Sequence, residues 1–331
     1  MGKQRKAVPK KYKIAKKNAE EKALHLANGK LAITKILNVF RNTFLRKILR
    51  RKLSIMRKAK FQTKVNISTS IKQVDKHQDF VCSGKTDEFS FVVIADGHGG
   101  DKTIRKIRDM DWPTILSSEN FIDIIYEKIK ALGNTNDDGA TLTIVKIFHT
   151  HIDVYWAGDS SARVYKNGAE IFRTKDHDMY NEDEMKRIKH VRQREIVRLC
   201  AKTPNIITQI PARYFEFNSF MNHLNMSHSL GHNGVTGKFM SHQSIPITYG
   251  DTYNVISGSD GFWDMICDED NLLLSSDTVN SDMLLELALM RWNKKDWKFE
   301  RQYISPKYPA DTRENIGLGL GDDVCVAVVK F

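Results

Sequence analysis

The sequence predicts an α+β domain built mainly from antiparallel sheets, preceded by a basic helical extension. Beyond residue 62, short runs rich in β-branched and aromatic residues alternate with stretches of helical periodicity. In one segment, SARVYKNGAEIFRT, two such runs flank Asn167-Gly168, which is a strong signal for a tight hairpin. Many short strands with helices clustered between them are typical of layered α+β proteins.

The N-terminal part of the chain differs in charge from the rest. The 331 residues have a formal net charge of +12, but residues 1–60 carry +18 and the remainder carries −6. Between Leu31 and Lys58, large apolar residues recur every three or four positions with Lys and Arg between them, which predicts a basic amphipathic helix. We therefore expect a basic arm over residues 1–60 and a folded domain over residues 62–331.

The arm has several possible roles, and the sequence leaves them open. They are a targeting signal, a helix lying on an anionic membrane, a contact with nucleic acid or with an acidic protein, and a structural helix packed on the domain. No apolar run approaches the roughly 18 residues that span a bilayer, and the four cysteines are too widely spaced for a zinc site. We expect a monomeric intracellular protein, cytoplasmic or nuclear, without a transmembrane segment.

The elements of the domain follow one another in a clear order. A strand is predicted in FSFVVIADGHGG, and the next stretch has a helical pattern that is interrupted at Pro113. The runs TLTIVKIF and HIDVYWA predict another hairpin. The segment EDEMKRIKHVRQREIVRLCA is predicted to be helical, and TYNVISGSDGFWDMI and DVCVAVVKF return to strand.

Carboxylates lie at the ends of several predicted strands. Asp96, Asp159 and Asp260 each follow an apolar run, Asp322 precedes one, and Asp79 lies at the edge of another. Each of them alone is explained by a turn, because Asp-Gly is a common turn signal. Together they would converge if the strands pair in one sheet system, and clustered carboxylates repel one another unless cations neutralise them.

Such a cluster favours a particular kind of metal site. Oxygen ligands suit Mg²⁺ or Mn²⁺ rather than zinc, which prefers His and Cys. Two such ions about 3.5–4 Å apart can lower the pKa of a shared water and hold a phosphoryl group for in-line displacement. A glycine beside Asp96 also fits, because without Cβ a backbone carbonyl can approach an ion. The pattern predicts a metal-dependent phosphoester hydrolase.

Over about residues 62–331, the order of the segments resembles the metal-dependent protein phosphatase 2C family of Ser/Thr phosphatases. The matching segments, in family order, are KHQDF, VVIADGHGG, GATLTIV, VYWAGDSSARVYKNG, TKDHDMYNEDEMKRI, LNMSHSLGH, NVISGSDGFWDMI and GDDVCVAVVKF. DGHGG and SDGFWD are specific motifs, whereas GATLT alone would be weak. The resemblance implies a four-layer fold, with a central antiparallel β-sandwich flanked by helices and a metal site at one end of the sandwich.

The resemblance also implies roles for individual residues. The metal ligands that it implies, for two ions of Mg²⁺ or Mn²⁺ and a third weaker one, are Asp96, the carbonyl of Gly97, Asp260, Asp322, Asp159 and Asp79. Asp96 would bridge the first two ions, Asp159 would serve the third, and Asp79 would hold metal-bound waters. His98 matches the general acid that protonates the leaving oxygen, a role that suits imidazole. Thr141 matches a threonine in the strand below the site.

One departure from the family concerns the substrate phosphate. Five residues before the acid matched by Asp79, the family has a phosphate-binding Arg, and this chain has Val74. Lys72 and Lys76 are therefore the candidate substrate-binding residues, as point charges without the bidentate fork of Arg.

Other departures lie elsewhere in the motifs. In LNMSHSLGH, the family Arg and the closing Asp are replaced by His228 and His232, and Asp323 replaces a family Asn. The stretch between Gly100 and Gly139 is short, so the helices that the family has there are expected to be trimmed.

Three hypotheses of function follow. The favoured one is a protein Ser/Thr phosphatase acting on phosphoproteins, because Asp96, Asp260 and Asp322 are all retained. The second is a weak or inactive pseudophosphatase that acts as a binding or regulatory module, which Val74 and the two histidines suggest. The third is a domain that its basic arm tethers to nucleic acid or to anionic membrane.

Overall fold

The computed structural model describes residues 65–331, apart from a set of short gaps. The gaps are 75, 136, 179, 189–191, 202–208, 218–221, 233–235, 237–239, 294–296, 303–310 and 315–320, and for 192–223 and 297–314 only the backbone is described. The expected amphipathic helix lies outside the described residues. The division into a basic arm and a domain therefore stays a prediction.

The secondary structure alternates short strands with short helices. The strands of the described residues are β1 (Asn66–Lys72), β2 (Asp79–Lys85), β3 (Ser90–His98), β4 (Gly139–Ala140), β5 (Leu142–Ile147), β6 (His151–Ala157), β7 (Ser161–Lys166), β8 (Ala169–Arg173), β9 (Arg192–Ala201), β10 (Gln209–Phe217), β11 (Asn222–Leu224), β12 (Leu230–Gly231), β13 (Ser241–Pro246), β14 (Tyr253–Gly258), β15 (Trp297–Gln302), β16 (Asp311–Glu314) and β17 (Val324–Lys330). The helices are α1 (Lys102–Arg108), α2 (Trp112–Leu116), α3 (Phe121–Lys130), α4 (Glu182–Arg187), α5 (Asp260–Trp263), α6 (Asn271–Leu274) and α7 (Ser281–Trp292).

Two antiparallel sheets form a sandwich. One has the order β1-β17-β14-β7-β8, and the other has the order β12-β4-β3-β5-β6-β13, with β2 also paired to β3. Strand β3 shows how the layers arise, because alternate side chains of a strand point to opposite faces. Val92 and Ile94 pack with Val255 and Ala327 of the other sheet in the sandwich core. Val93 instead belongs to a separate core on the outer face.

Helices cover both outer faces of the sandwich. Ile104 of α1 and Ile125 of α3 pack in the same core as Val93. On the other side, Leu284 of α7 packs with Val326 of β17. The resulting order of helix, sheet, sheet and helix confirms the α+β fold with antiparallel sheets. None of the helices in the described part of the chain has the length and hydrophobicity that crossing a bilayer requires.

The predicted hairpins and the helix break are present. Strands β5 and β6 pair from Ile147 opposite Ile152, and β7 pairs with β8. Asn167 and Gly168 join β7 to β8 with φ angles of 50° and 83°, a left-handed conformation that Asn and Gly tolerate. Pro113 lies in the first turn of α2, where its missing N–H costs no hydrogen bond.

The prediction of one helix from Glu182 through Ala201 is wrong in its second half. Helix α4 ends at Arg187, and β9 begins at Arg192 in a third, antiparallel sheet of order β11-β10-β9-β15-β16. β9 pairs with both β10 and β15. These partners include a strand almost one hundred residues away, so the long-range pairing overrides the local helical pattern.

Candidate active site

Asp96 lies near the end of β3 and is fixed through its backbone. The N–H of Asp96 donates to Oγ1 of Thr141 at 3.0 Å, and the N–H of Thr141 donates to the carbonyl of Asp96 at 2.8 Å. Oγ1 of Thr141 also lies 2.6 Å from Oγ of Ser160. Thr141 and Ser160 are fully buried, so this network holds Asp96 against a rigid part of the sandwich.

Asp79 begins β2 and lies directly opposite Asp96 in the β2–β3 register. It is buried, and its Oδ2 accepts a hydrogen bond from Oγ of Ser259 at 2.7 Å. Its Oδ1 makes no hydrogen bond within the described residues. Burial raises the pKa of Asp79 to about 7; the bond from Ser259 opposes this rise, and the charge of Asp260 adds to it.

Asp260 and Asp322 come from the ends of two neighbouring strands. Asp260 follows β14 and starts α5, where its Oδ1 accepts from the N–H of Gly261 at 2.7 Å. Burial and then the charge of Asp322 raise the pKa of Asp260 to about 6. Asp322 precedes β17, and Nζ of Lys76 lies 3.3 Å from its Oδ1.

Asp159 joins this group together with two aspartates that were not predicted from the sequence, Asp176 and Asp264. Asp159 follows β6, and burial raises its pKa well above the usual value, with added repulsion from Asp260, Asp176 and Asp264. Burial and Asp260 raise the pKa of Asp264 in the same way. Asp176 accepts a hydrogen bond from Ser161, and its pKa is raised to about 7, mainly by burial. Asp264 was detectable, because it follows Asp260 by one helical turn in SDGFWD and so lies on the same face.

The donor set suits a divalent cation. The pKa of Asp96 is raised well above its usual value by burial and by the charges of Asp260, Asp79, Asp322 and Asp159. Burying several carboxylates close together is unfavourable unless a cation neutralises their charge. Oδ1 of Asp159, like Oδ1 of Asp79, makes no hydrogen bond among the residues that are described. Oxygen ligands with unused lone pairs and mutual repulsion fit Mg²⁺ or Mn²⁺.

Gly97 follows Asp96 where the chain passes close to its neighbours. A Cβ at this position would lie 2.9 Å from Cβ of Ile104 and 3.2 Å from the carbonyl oxygen of Gln78. The N–H of Gly97 donates to that carbonyl at 3.0 Å. A side chain would therefore force the end of β3 away from the loop that carries Gln78.

His98 ends β3 in contact with a second histidine that the sequence analysis had noted only as a departure. Its Nε2 lies 2.6 Å from Nε2 of His232, and the two ring planes are inclined by 22° with their centroids 4.7 Å apart. Burial, followed by the neighbouring His232, lowers the pKa of His98 to about 3. Gly139 leaves space for this pair, because a Cβ there would clash with Nε2 of His232.

The loop between β1 and β2 is held by Asp323. The N–H of Val74 donates to Oδ1 of Asp323 at 2.6 Å, and the N–H of Gln78 donates to Oδ2 at 2.7 Å. The Asp in place of the family Asn thus accepts two backbone hydrogen bonds. Of the two candidate substrate-binding lysines, the loop brings Lys76 to the carboxylates, whereas Lys72 is an exposed residue at the end of β1.

A separate group of possible metal donors is formed by His177, Glu184 and His228, whose ligand atoms lie within 4.8 Å of one another. Both ring nitrogens of His177 are already hydrogen-bonded. Nδ1 of His228 lies 3.2 Å from Glu184, and Arg187 donates to the same carboxylate at 2.7 Å. Although burial opposes it, these hydrogen bonds hold the pKa of Glu184 below its usual range. We interpret this group as a buried hydrogen-bond network.

Comparisons with known proteins agree with this architecture. The family model described as Protein phosphatase 2C matches residues 59–294. A serine/threonine phosphatase of S. agalactiae is similar in structure, with a TM-score of 0.51 and 19% identity over 80% of this chain and 98% of that one. A sex determining protein of C. elegans has a TM-score of 0.51 and 16% identity over 80% of this chain, which spans only 64% of the length of that protein. No curated protein sequence matches the chain.

Proposed function

We propose that this chain, which belongs to the protein phosphatase 2C family, is a protein Ser/Thr phosphatase that depends on Mg²⁺ or Mn²⁺. The observation that carries the proposal is the cluster of aspartates at the end of the sandwich, which come from β2, β3, the start of α5 and the segments beside β6 and β17. Their mutual repulsion in the folded protein is unfavourable unless the site has a cationic ligand. A purely structural role would not require this concentration of charge.

The residues that would hold two ions are Asp96, Asp260, Asp322 and the carbonyl of Gly97, with Asp159 for a third ion. Asp79 would hold metal-bound waters. Bound Mg²⁺ or Mn²⁺ would neutralise these carboxylates and supply a water that is activated for attack on phosphorus. Asp264 adds a carboxylate beside Asp260 that the sequence analysis did not include.

The remaining chemistry belongs to side chains of the chain. Thr141 and Ser259 keep Asp96 and Asp79 in fixed orientations through the hydrogen bonds described above. Water bonds to phosphorus while the bond to the serine or threonine oxygen breaks, and protonated His98 gives a proton to that leaving oxygen. Because the pKa of His98 is lowered, this protonated form is a minor but strongly acidic species. The proton that water releases restores His98. Lys76 contributes a positive charge for the substrate phosphate.

Phosphate release tests the proposal directly. A phosphoseryl peptide and p-nitrophenyl phosphate are each incubated with the protein in Mn²⁺ and in chelator. We expect release from both substrates in Mn²⁺ and a large loss in chelator. Equal rates in the two conditions, or no release in either, would contradict the proposal.

A second candidate function is a pseudophosphatase that binds a partner without turnover. It is favoured by Val74, whose side chain is 44% exposed in the loop where the family has its phosphate-binding Arg. In that case Mn²⁺ would raise the melting temperature without phosphate release, and Val74→Arg would produce release.

A tether through residues 1–60 would instead appear as binding to nucleic acid or to anionic vesicles. Such binding weakens steeply with salt and is lost when those residues are deleted.

A further inference from the structure

Two histidines that are 134 positions apart in sequence meet at the end of β3. Nε2 of His98 and Nε2 of His232 are 2.6 Å apart. At this separation one nitrogen carries a hydrogen and donates it, and the other nitrogen accepts it. The contact therefore fixes the orientation of the His98 ring and engages its Nε2 atom.

His232 is itself held firmly in place. Its backbone N–H donates to the carbonyl of Asp138 at 2.9 Å, and its φ angle of 47° lies in the left-handed region that non-glycine residues rarely adopt. Asp138 also fixes the start of α1, because its carboxylate accepts from the N–H groups of Lys102 and Thr103. Since the His232 ring is 1% exposed and closely backed by Gly139, it forms a rigid support for His98.

We propose that His232 is a positioning residue for His98, acting through the hydrogen bond between their Nε2 atoms. The inference rests on the proposed function, in which His98 protonates the leaving oxygen, and it adds a residue to that step. His232 occupies the place of the closing Asp of the family motif, so this chain supports its general acid with an imidazole.

The choice of substrate distinguishes a positioning role of His232 from a purely structural role. The alkoxide of serine is a poor leaving group and needs a proton as the bond to phosphorus breaks, whereas p-nitrophenolate is stable as an anion. Loss of general-acid catalysis, which contributes about 10²–10⁴-fold, therefore slows release from a phosphoseryl peptide far more than release from p-nitrophenyl phosphate. A structural defect at the metal site slows both reactions equally.

The experiment compares His232→Gln with His232→Met in the full chain. Both replacements are unbranched and of similar length, so they share the strain of the left-handed backbone. Only Gln has an amide that hydrogen-bonds strongly to His98, because the thioether of Met is at most a weak acceptor. We expect His232→Met to lower the ratio of the peptide rate to the aryl phosphate rate at least about tenfold, and His232→Gln to retain most of it. His98→Asn should lower the ratio at least as much, and adding His232→Met to it should have little further effect. The control is His242→Asn, which changes a half-exposed histidine on β13 and should leave the ratio unchanged.

An unchanged ratio in His232→Met, or equal losses on both substrates, would overturn the inference.

A second measurement tests the hydrogen bond between His98 and His232 without any turnover. In metal-free protein labelled with ¹⁵N-histidine, the Nε2 resonance of His98 should shift in His232→Met and much less in His232→Gln. An unshifted resonance in both variants would also overturn it. If the wild-type protein hydrolyses neither substrate, the proposed function fails, and the resonances still decide whether His232 fixes His98.

Discussion

Replacing Thr141 by Val tests how the chain holds its central carboxylate. The two side chains have nearly the same shape, so the change removes one hydroxyl from a fully buried position. That hydroxyl accepts the backbone hydrogen bond of Asp96 at 3.0 Å and contacts Ser160 at 2.6 Å. In the variant, the N–H of Asp96 has a methyl group where its acceptor was.

The cost follows from the groups left without a bond. A buried donor that loses its acceptor destabilises a protein by about 1–3 kcal/mol, and a typical hydrogen bond such as that to Ser160 adds about 1 kcal/mol. We therefore expect Thr141→Val to lower the free energy of unfolding by about 2–4 kcal/mol. Thr141→Ser is the matched control, since it keeps the hydroxyl and loses one methyl group, at a cost of about 1 kcal/mol.

Urea unfolding in chelator, followed by tryptophan fluorescence, measures both variants against the wild-type protein. The predicted order of stability is wild type, then Thr141→Ser, then Thr141→Val. If Thr141→Val were as stable as Thr141→Ser or more so, the hydroxyl would not be the support of Asp96.

Three other outcomes are expected. Asp323→Asn leaves one acceptor oxygen for two backbone amides, including that of Gln78. Urea unfolding of the metal-free protein should therefore show a free energy of unfolding that is lower by about 1–3 kcal/mol. A higher free energy of unfolding would mean that repulsion between the carboxylates dominates. Because the pKa values of Asp79 and Asp260 are raised from 3.8 to about 7 and about 6, the folded protein binds more protons than the unfolded chain between those values. Its melting temperature in chelator should fall as pH rises from about 4 to about 7, and the fall should be much smaller in Mn²⁺; a pH dependence that the metal does not change would contradict this account. Lys76→Met should raise KM for the phosphoseryl peptide severalfold with a smaller change in kcat, and steady-state kinetics that show an unchanged KM would exclude a role of Lys76 in phosphate binding.

Much of the fold was predictable because its signals are local. The continuous apolar run of β3 predicts a buried strand, whose alternate side chains face the sandwich and the helices. Asn167-Gly168 is a strong local signal for the hairpin that joins β7 to β8. The strand β9 was not predictable in this way. Its residues are compatible with a helix, and they form a strand because of the partners β10 and β15, of which the latter is distant in sequence.

The candidate site shows the same division. The cross-strand register places Asp79 opposite Asp96, as expected for carboxylates at strand ends that share a sheet. The approach of His232 to His98 depends on the packing of β12 against β4 and on the space that Gly139 leaves, and no local pattern encodes it. Asp176 was missed for a similar reason, since it reaches the cluster from the segment that follows β8.

The proposed phosphoester hydrolysis depends on ions bound by the aspartate cluster. The most direct measurement is phosphate release from a phosphoseryl peptide as Mn²⁺ is titrated, in the wild-type protein and in Asp260→Asn. We expect saturable activation of the wild type and a rate lower by at least about 10²-fold in the variant at every Mn²⁺ concentration, because the variant would lose one carboxylate ligand. Release that does not depend on Mn²⁺, or the same titration curve for both proteins, would contradict the proposal.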